Sequence, residues 1–296
     1  MKRVFQSILA MALASSVVAC SSAPNTVAFP PTGLDSPSVT AVEEDGGTST
    51  EPFDLPHLDL SAEDDVAPET DELLAAYVAP SHLGAAQEIA TAILPANTTY
   101  QHHPDIVTWA GVNGATTYVS KTDCSGFLTA LFAHTYGLTA DTFRTWLGQG
   151  SPQAKTYYDG IVAKNGFTPI ALISRVRPGD IVAMKYLDDS ANTGHVMVVA
   201  GSPVQRVATS PIIPGTTQWE IPVIDQSNSG HGPTDTRRLP NGTFRSGLGQ
   251  GVFRVYANSK ERIVGYTWST FANSTYYTRQ TRPLAVGRLR PTEIPR

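Results

Sequence analysis

The segment Asp123-Cys124-Ser125-Gly126-Phe127 has the pattern of a helix N-terminus. Thr122 or Asp123 can cap this helix, apolar side chains follow at helical spacing as far as Tyr136, and Gly137 can end it. We therefore predict a helix from Cys124 to Tyr136. A thiol at such a position lies beside free backbone N–H groups. These groups favour the thiolate and can bind the negative charge that develops on a carbonyl under attack.

The 296-residue chain has two cysteines, and the first lies in a sequence typical of export. Cys20 follows Met1-Lys2-Arg3 and a short apolar stretch, which is the pattern of a secretory signal. Small residues before a cysteine, with Ser21 after it, resemble the bacterial lipoprotein signal, in which that cysteine carries the lipid. An ordinary signal peptide with a chance cysteine is the alternative. If Cys20 is lipidated, Cys124 has no disulfide partner, and an unpaired thiol in an exported protein is typically kept for chemistry.

Charge divides the chain into two unlike parts. Residues 21–120 contain fifteen acids and no Lys or Arg, whereas residues 121–296 contain nineteen Lys and Arg and eleven acids. We predict a signal peptide at 1–20, an acidic disordered tether at 21–72 and one folded domain at 73–296. The lipoprotein resemblance implies a membrane anchor at Cys20, on the outer membrane and facing the periplasm. The basic part lacks the aromatic-interleaved stripe of nucleic-acid binders, so no nucleic acid is expected as a partner.

Helical patterns precede strand patterns in the predicted domain. Two short helices flank Pro80, the second running from Ser81 to Leu94, and residues 139–172 indicate further helix and loop. Apolar runs rich in β-branched residues predict strands, and the last two of them form a hairpin: 181–184, 195–199, 218–224, 252–257 and 263–268. This order indicates an α+β domain in which N-terminal helices pack on an antiparallel sheet.

A base for the Cys124 thiol can come from the strands. His195 opens a strand directly after Gly194, so its ring is expected at a strand end that faces the start of the Cys124 helix. Asp225 follows the next predicted strand and can orient the imidazole. His231 in a glycine-rich loop is the alternative orienting residue. His102 and His103 lack companion ligands at zinc spacing, so we predict neither a metal nor another cofactor.

Three motifs in order resemble the NlpC/P60 family of papain-like cysteine peptidases. They are the segment 123–127, Pro178-Gly179-Asp180-Ile181-Val182 and Gly194-His195-Val196. The resemblance implies a papain-like fold and hydrolysis of peptide bonds in peptidoglycan stem peptides. It also implies that Asp123 and Ser125 help to hold the substrate, and that the third catalytic residue, Asp225 here, ends the strand after the histidine strand.

The chain departs from that family pattern in three respects. An aromatic-rich segment usually precedes the cysteine, and here only Tyr118-Val119-Ser120 stands there, so Tyr118 is the expected oxyanion or substrate contact. The third catalytic residue is more often His than Asp. Long insertions separate Cys124 from His195, and His195 from Asp225. Two other functions therefore stay open: an acyltransferase or non-peptide amidase with the same triad, and a non-catalytic module that binds the cell envelope.

Overall fold

The computed structural model describes residues 79–187 and 192–295. The predicted signal peptide, the tether, the helix before Pro80 and the start of the domain at 73 lie outside these residues. The described part contains four α-helices: α1 Ser81–Ala92, α2 Cys124–Tyr136, α3 Ala140–Leu147 and α4 Ala154–Val162. Short 3-10 helices occupy Pro95–Asn97, Ile173–Arg175 and Pro291–Glu293. No helix within the described ranges is long and apolar enough to cross a membrane.

Twelve strands form two sheets in the same residues. The strands are β1 Thr98–Tyr100, β2 Ile106–Thr108, β3 Val119–Thr122, β4 Phe167–Pro169, β5 Ile181–Lys185, β6 Gly194–Val199, β7 Val204–Gln205, β8 Thr216–Ser227, β9 Gly247–Asn258, β10 Ile263–Thr267, β11 Tyr276–Thr278 and β12 Leu284–Leu289. The large sheet has the order β11-β10-β9-β8-β6-β5-β12-β4, with β7 beside β8, and its neighbours are antiparallel. The small sheet has the order β1-β3-β2, and β1 is parallel to β3. The prediction of an α+β domain with a main antiparallel sheet is confirmed.

Helix α2 has the bounds and the caps that the sequence predicts. The Oδ1 atom of Asp123 accepts a hydrogen bond of 2.7 Å from the backbone N–H of Gly126. Gly137 takes a positive φ of 68° and ends the helix, as is common at this position. Helix α1 matches its prediction but is two residues shorter.

The sheet is buried on both faces, which explains the unbroken apolar runs of β5 and β6. Alternate residues belong to two clusters: Ile181 and Val196 pack with the helices, whereas Val182 and Met197 pack in a second cluster. The second cluster also takes residues from β8, β9, β10 and β12 of the large sheet. The helix cluster includes Cys124 and fixes the start of α2 against the sheet.

Two sequence predictions need correction. The strand predicted at 218–224 continues to Ser227, so Asp225 lies inside β8 rather than after it. The hairpin of β9 and β10 forms, but it does not close the domain, because β12 follows and inserts between β5 and β4. The loop expected around His102 is present and joins β1 to β2 of the small sheet.

The Pro-Gly-Asp turn before β5 ties three elements together. Asp180 accepts hydrogen bonds from the backbone N–H of Arg177 and from the guanidinium of Arg288 in β12. The backbone carbonyl of Gly179 accepts from Nε2 of His82 in α1, at 2.7 Å. Nδ1 of His82 then accepts from the Tyr136 hydroxyl at 2.6 Å, so the buried ring is the neutral Nε2–H tautomer.

We expect His82 to make the fold sensitive to acid. Burial lowers the His82 pKa from 6.5 to about 4, although its hydrogen bond to Gly179 opposes that shift. The depressed value means that its contribution is complete above pH 6.5 and is lost as the pH falls towards 4. The His82→Gln variant should therefore lose about 2–3 kcal/mol less unfolding free energy than the wild type between pH 7 and pH 4.5. Urea titrations at both pH values measure this, and equal losses in the two proteins would contradict it.

Candidate active site

Cys124 is the first residue of α2 and is 4% exposed. It is the free cysteine of the described residues. Its backbone N–H and that of Ser125 open the helix, where N–H groups have no partner within the helix. The capping contact of Asp123 fixes this first turn, and the apolar face of α2 fixes the helix on the sheet. The thiol is therefore held at a helix N-terminus, where negative charge is stabilised.

His195 is brought to the thiol by the start of β6. Gly194 has a φ of 144°, and a Cβ atom there would lie 1.9 Å from the carbonyl oxygen of Met184, so only glycine allows this approach of β6 to β5. His195 is 5% exposed, is hydrogen-bonded to Asp225 and lies close enough to Cys124 for the charge of the sulfur to act on the ring. Because Nε2 bonds to Oδ2 of Asp225 at 2.7 Å, Nδ1 is the nitrogen that faces the thiol.

Asp225 lies opposite Gly249 in the β8–β9 ladder and is 1% exposed. Its Oδ2 atom accepts from His195 and also, at 3.0 Å, from Nε2 of His231. Nδ1 of His231 donates to the backbone carbonyl of Trp268 at 2.8 Å. The structure thus places Asp225 next to His195 and places His231 behind Asp225.

The electrostatics of this chain of contacts favour an ion pair. Burial disfavours the protonated form of His195, but the charge of Cys124 and the hydrogen bond with Asp225 outweigh it and raise the His195 pKa to about 9. Burial alone would raise the pKa of Asp225, yet the nearby Arg237 and His231 and the His195 hydrogen bond hold it well below its usual range. His195 is therefore protonated and Asp225 ionised at neutral pH, which is the state that matches a thiolate on Cys124.

Arg237 and Asp235 belong to the same cluster and were missed by the sequence analysis. Nη2 of Arg237 lies 2.8 Å from Oδ1 of Asp225 and 2.8 Å from Oδ2 of Asp235. The signal that could have pointed to them is the alternation of glycine in Gly247-Leu248-Gly249-Gln250-Gly251, because every second residue of a strand faces the same side. We call His195, Asp225, His231, Asp235 and Arg237 the Asp225 cluster.

Asp123 and Ser125, the predicted substrate contacts, bond to each other. The Ser125 hydroxyl donates to Oδ1 of Asp123 at 2.9 Å, and Oδ2 of Asp123 lies 3.2 Å from Nδ1 of His102. Asp123 and Ser125 thus flank Cys124 at the capped start of α2. His102, predicted as a plain loop residue, thereby reaches the start of α2.

Tyr100 lines the cleft beside His195, whereas Tyr118 does not. The Tyr118 hydroxyl donates to Oε1 of Glu88 in α1 at 2.7 Å. Tyr100 pairs with Thr122 in the small sheet, two residues before the cysteine. A cleft of about 250 Å³ is lined by Tyr100, Tyr186, Asn192, His195, Trp268 and Tyr277 among others. Five of its twelve lining residues are Tyr or Trp, and the ring of Trp268 meets that of His195 edge-on at 4.8 Å.

The ligand atoms of His195, Asp225 and His231 lie within 4.8 Å of one another, close enough to share a metal ion. Hydrogen bonds of 2.7 and 3.0 Å already join them, and the Arg237 guanidinium lies 2.8 Å from the same carboxylate. A further cation would face this guanidinium in a buried site. We therefore interpret these three residues as a hydrogen-bonded network.

Comparisons with known proteins give one relative. No protein-family model matches the chain, and no solved structure matches it. A protein of Acanthamoeba polyphaga mimivirus, named "Uncharacterized protein R653", is 36% identical to this chain over 205 residues, which cover 65% of this chain and 88% of the viral protein. This similarity spans nearly the whole viral protein, and the chain therefore belongs to the same protein family as the mimivirus protein R653.

Proposed function

We propose that the chain is a cysteine hydrolase of the NlpC/P60 type, with a papain-like site, that cleaves amide bonds in peptidoglycan stem peptides. The observation that carries the proposal is the contact of Cys124 at the start of α2 with His195 at the start of β6, which in turn bonds to Asp225 in β8. A thiol, an imidazole and an orienting carboxylate in this order form a nucleophile with its acid–base group. The predicted lipid at Cys20 would hold the domain at the cell envelope, where this substrate lies.

The proposed reaction has two steps. The Cys124 thiolate attacks the amide carbonyl carbon and forms a C–S bond, while the C–N bond breaks and protonated His195 gives its proton to the leaving amine. Neutral His195 then takes a proton from water, whose oxygen attacks the thioester. The acid product leaves, and Cys124 returns as a thiolate beside protonated His195.

Tyr100 is the proposed side-chain donor to the oxyanion. Burial and the nearby charges of Cys124 and Asp123 raise the Tyr100 pKa, so that its hydroxyl stays protonated and can donate. The backbone N–H groups of Cys124 and Ser125 at the start of α2 are the other donors that this site offers.

The Tyr100→Phe variant should lower kcat by roughly 10²-fold, because one preorganised donor to the oxyanion is lost. Tyr118→Phe is the matched control and should change kcat less than twofold, since its hydroxyl bonds to Glu88 on α1. Steady-state rates on one defined peptidoglycan fragment measure both variants. A larger loss in Tyr118→Phe than in Tyr100→Phe would contradict the assignment.

The proposed function is tested by incubating the full chain with purified peptidoglycan fragments and identifying the products by mass spectrometry. Cleavage by the wild type and none by Cys124→Ala would support a hydrolase and identify the bond. A product with a new amide or ester would instead indicate an acyltransferase. No reaction, together with a Cys124 thiol no more reactive than free cysteine, would favour a binding module.

A further inference from the structure

Arg237 is a buried arginine whose nitrogen atoms all bind oxygen. Nη2 donates to Oδ1 of Asp225 and Oδ2 of Asp235, both at 2.8 Å, and Nε donates to Oδ1 of Asp235 at 2.9 Å. Nη1 donates to the backbone carbonyls of Gly247 at 3.2 Å and Asp225 at 3.4 Å. The residue is 0% exposed. Asp235 in turn accepts from the backbone N–H of His231 and of Arg237, so the loop after β8 is tied to the same point.

Glycines of β9 leave the space that the cluster fills. A Cβ atom on Gly249, which faces Asp225 in the ladder, would lie 2.6 Å from Nε of Arg237 and 2.8 Å from its Cγ and Cδ. A Cβ atom on Gly251 would lie 2.4 Å from Oδ2 of Asp235. Gly249 thus makes room for Arg237, and Gly251, two residues on, makes room for the Asp235 carboxylate that pairs with it. Such close approach to a strand backbone is a common reason for glycine within a strand.

We propose that Arg237 is a positioning residue that acts on Cys124 through Asp225 and His195. Its bond to Oδ1 prevents rotation of the carboxylate, so that Oδ2 is left for His195 and His231. A fixed Oδ2 fixes Nε2 of His195, and the opposite nitrogen then points to the thiol. The consequence for catalysis rests on the proposed hydrolase function, whereas the consequence for thiol reactivity does not.

Arg237 lies between two buried carboxylates. It pairs with Asp225 and with Asp235, and His195, which is protonated at neutral pH, bonds to Asp225 as well. Both ring nitrogens of His231 face acceptors, the Asp225 carboxylate and the Trp268 carbonyl. Arg237 supplies the cation that does not depend on pH. Without it, two buried carboxylates would share the two histidines.

A second buried arginine shows what a purely structural role looks like. Arg254 in β9 is also 0% exposed, and it donates to Thr267, Thr209, Ser210 and Phe271. None of these partners belongs to the Asp225 cluster. Arg254→Lys is therefore the matched control for Arg237→Lys.

The test measures the rate at which iodoacetamide alkylates Cys124 in the full chain near pH 6, a readout that needs no substrate. Arg237→Lys keeps the charge but cannot bridge Asp225 and Asp235. Gly249→Ala leaves every polar group in place, but its added methyl group displaces the Arg237 side chain. Gly84→Ala in α1, where a Cβ atom meets nothing within 4 Å, is the control for the added methyl group. Each variant is also made in an Asp225→Asn background, and thermal unfolding reports on folding.

We expect the alkylation rate of Cys124 in folded Arg237→Lys and Gly249→Ala to be lower than that of the wild type by a factor of about ten or more. In Arg254→Lys and Gly84→Ala the rate should change less than twofold. In the Asp225→Asn background neither variant should slow the reaction further, because Arg237 acts through that carboxylate. An unchanged alkylation rate in a folded variant would overturn the proposal. A further loss of rate when either substitution is added to Asp225→Asn would overturn it as well. Loss of folding in both variants would assign Arg237 to the core and would also overturn it. If the alkylation rates follow the expected pattern but no peptidoglycan fragment is cleaved, the proposed function is rejected and this inference stands.

Discussion

Replacing Cys124 by serine is expected to reduce hydrolysis of peptidoglycan fragments by roughly 10⁴-fold or more. The charge of Cys124 helps to raise the His195 pKa to about 9, so the site stabilises an imidazolium next to a negatively charged sulfur. A serine hydroxyl does not ionise near neutral pH, so it is a far weaker nucleophile than a thiolate at the same position. Steady-state cleavage rates, read by mass spectrometry, measure the loss.

The same substitution should leave the fold unchanged, because serine is nearly isosteric with cysteine at a site that is 4% exposed. Thermal unfolding within a few degrees of the wild type is the control for folding. Cys124→Ala should be equally inactive. Substantial cleavage by either variant would show that the reaction does not use this thiol.

Asp225→Asn is expected to lower kcat by roughly 10³–10⁴-fold and to move the basic limb of the pH–rate profile to lower pH. Burial already acts to lower the pKa of His195, and Cys124 and Asp225 are the groups that raise it to about 9. Removal of the Asp225 charge therefore lowers this pKa, and the protonated His195 that the reaction needs is lost at a lower pH. An amide can also donate to Nε2 of His195, which would favour the wrong tautomer.

His231→Gln is the comparison for Asp225→Asn. Its ring lies behind Asp225 and bonds to the far side of the same oxygen, so its loss should cost less activity than Asp225→Asn. Rates from pH 5 to pH 10 for both variants, on one substrate, separate the two roles. A greater loss in His231→Gln, or a basic limb that does not move in Asp225→Asn, would assign the orienting role to His231.

Local signals allowed the start of α2 to be predicted. An acid that caps, small residues after it, an apolar face and a glycine at the end are all contained in about fifteen residues. His195 after Gly194 was similarly visible, because the strand pattern and the glycine are adjacent in sequence. The backbone shows why that glycine is required: its φ of 144° and its approach to Met184 exclude a side chain.

The features that the sequence could not predict depend on the pairing of strands that are distant in sequence. Tyr118 is closer to Cys124 in sequence than Tyr100, yet β3 carries the chain about 13 Å from Tyr118 to Thr122. The parallel pairing of β1 with β3 places Tyr100 opposite Thr122, and no local pattern announces a parallel pair. Strand β12 was missed for the same reason, since its partners β5 and β4 lie about one hundred residues earlier.

Arg237 and Asp235 were missed because buried charges have no periodic signature. Their loop reads as polar and glycine-rich, which is typical of exposed turns. The alternating glycines of β9 were visible, but they indicate only that something approaches the strand. The structure identifies it as the side chains of the Asp225 cluster.

The most direct test of the account is the rate of Cys124 alkylation by iodoacetamide at pH 6, compared with free cysteine under the same conditions. The nearby protonated His195 and the position at the start of α2 both stabilise negative charge on the Cys124 sulfur. We expect Cys124 to react at least about tenfold faster than free cysteine, with the excess lost in His195→Ala. A thiol that reacts no faster than free cysteine, or a rate that His195→Ala leaves unchanged, would contradict the Cys124–His195 ion pair.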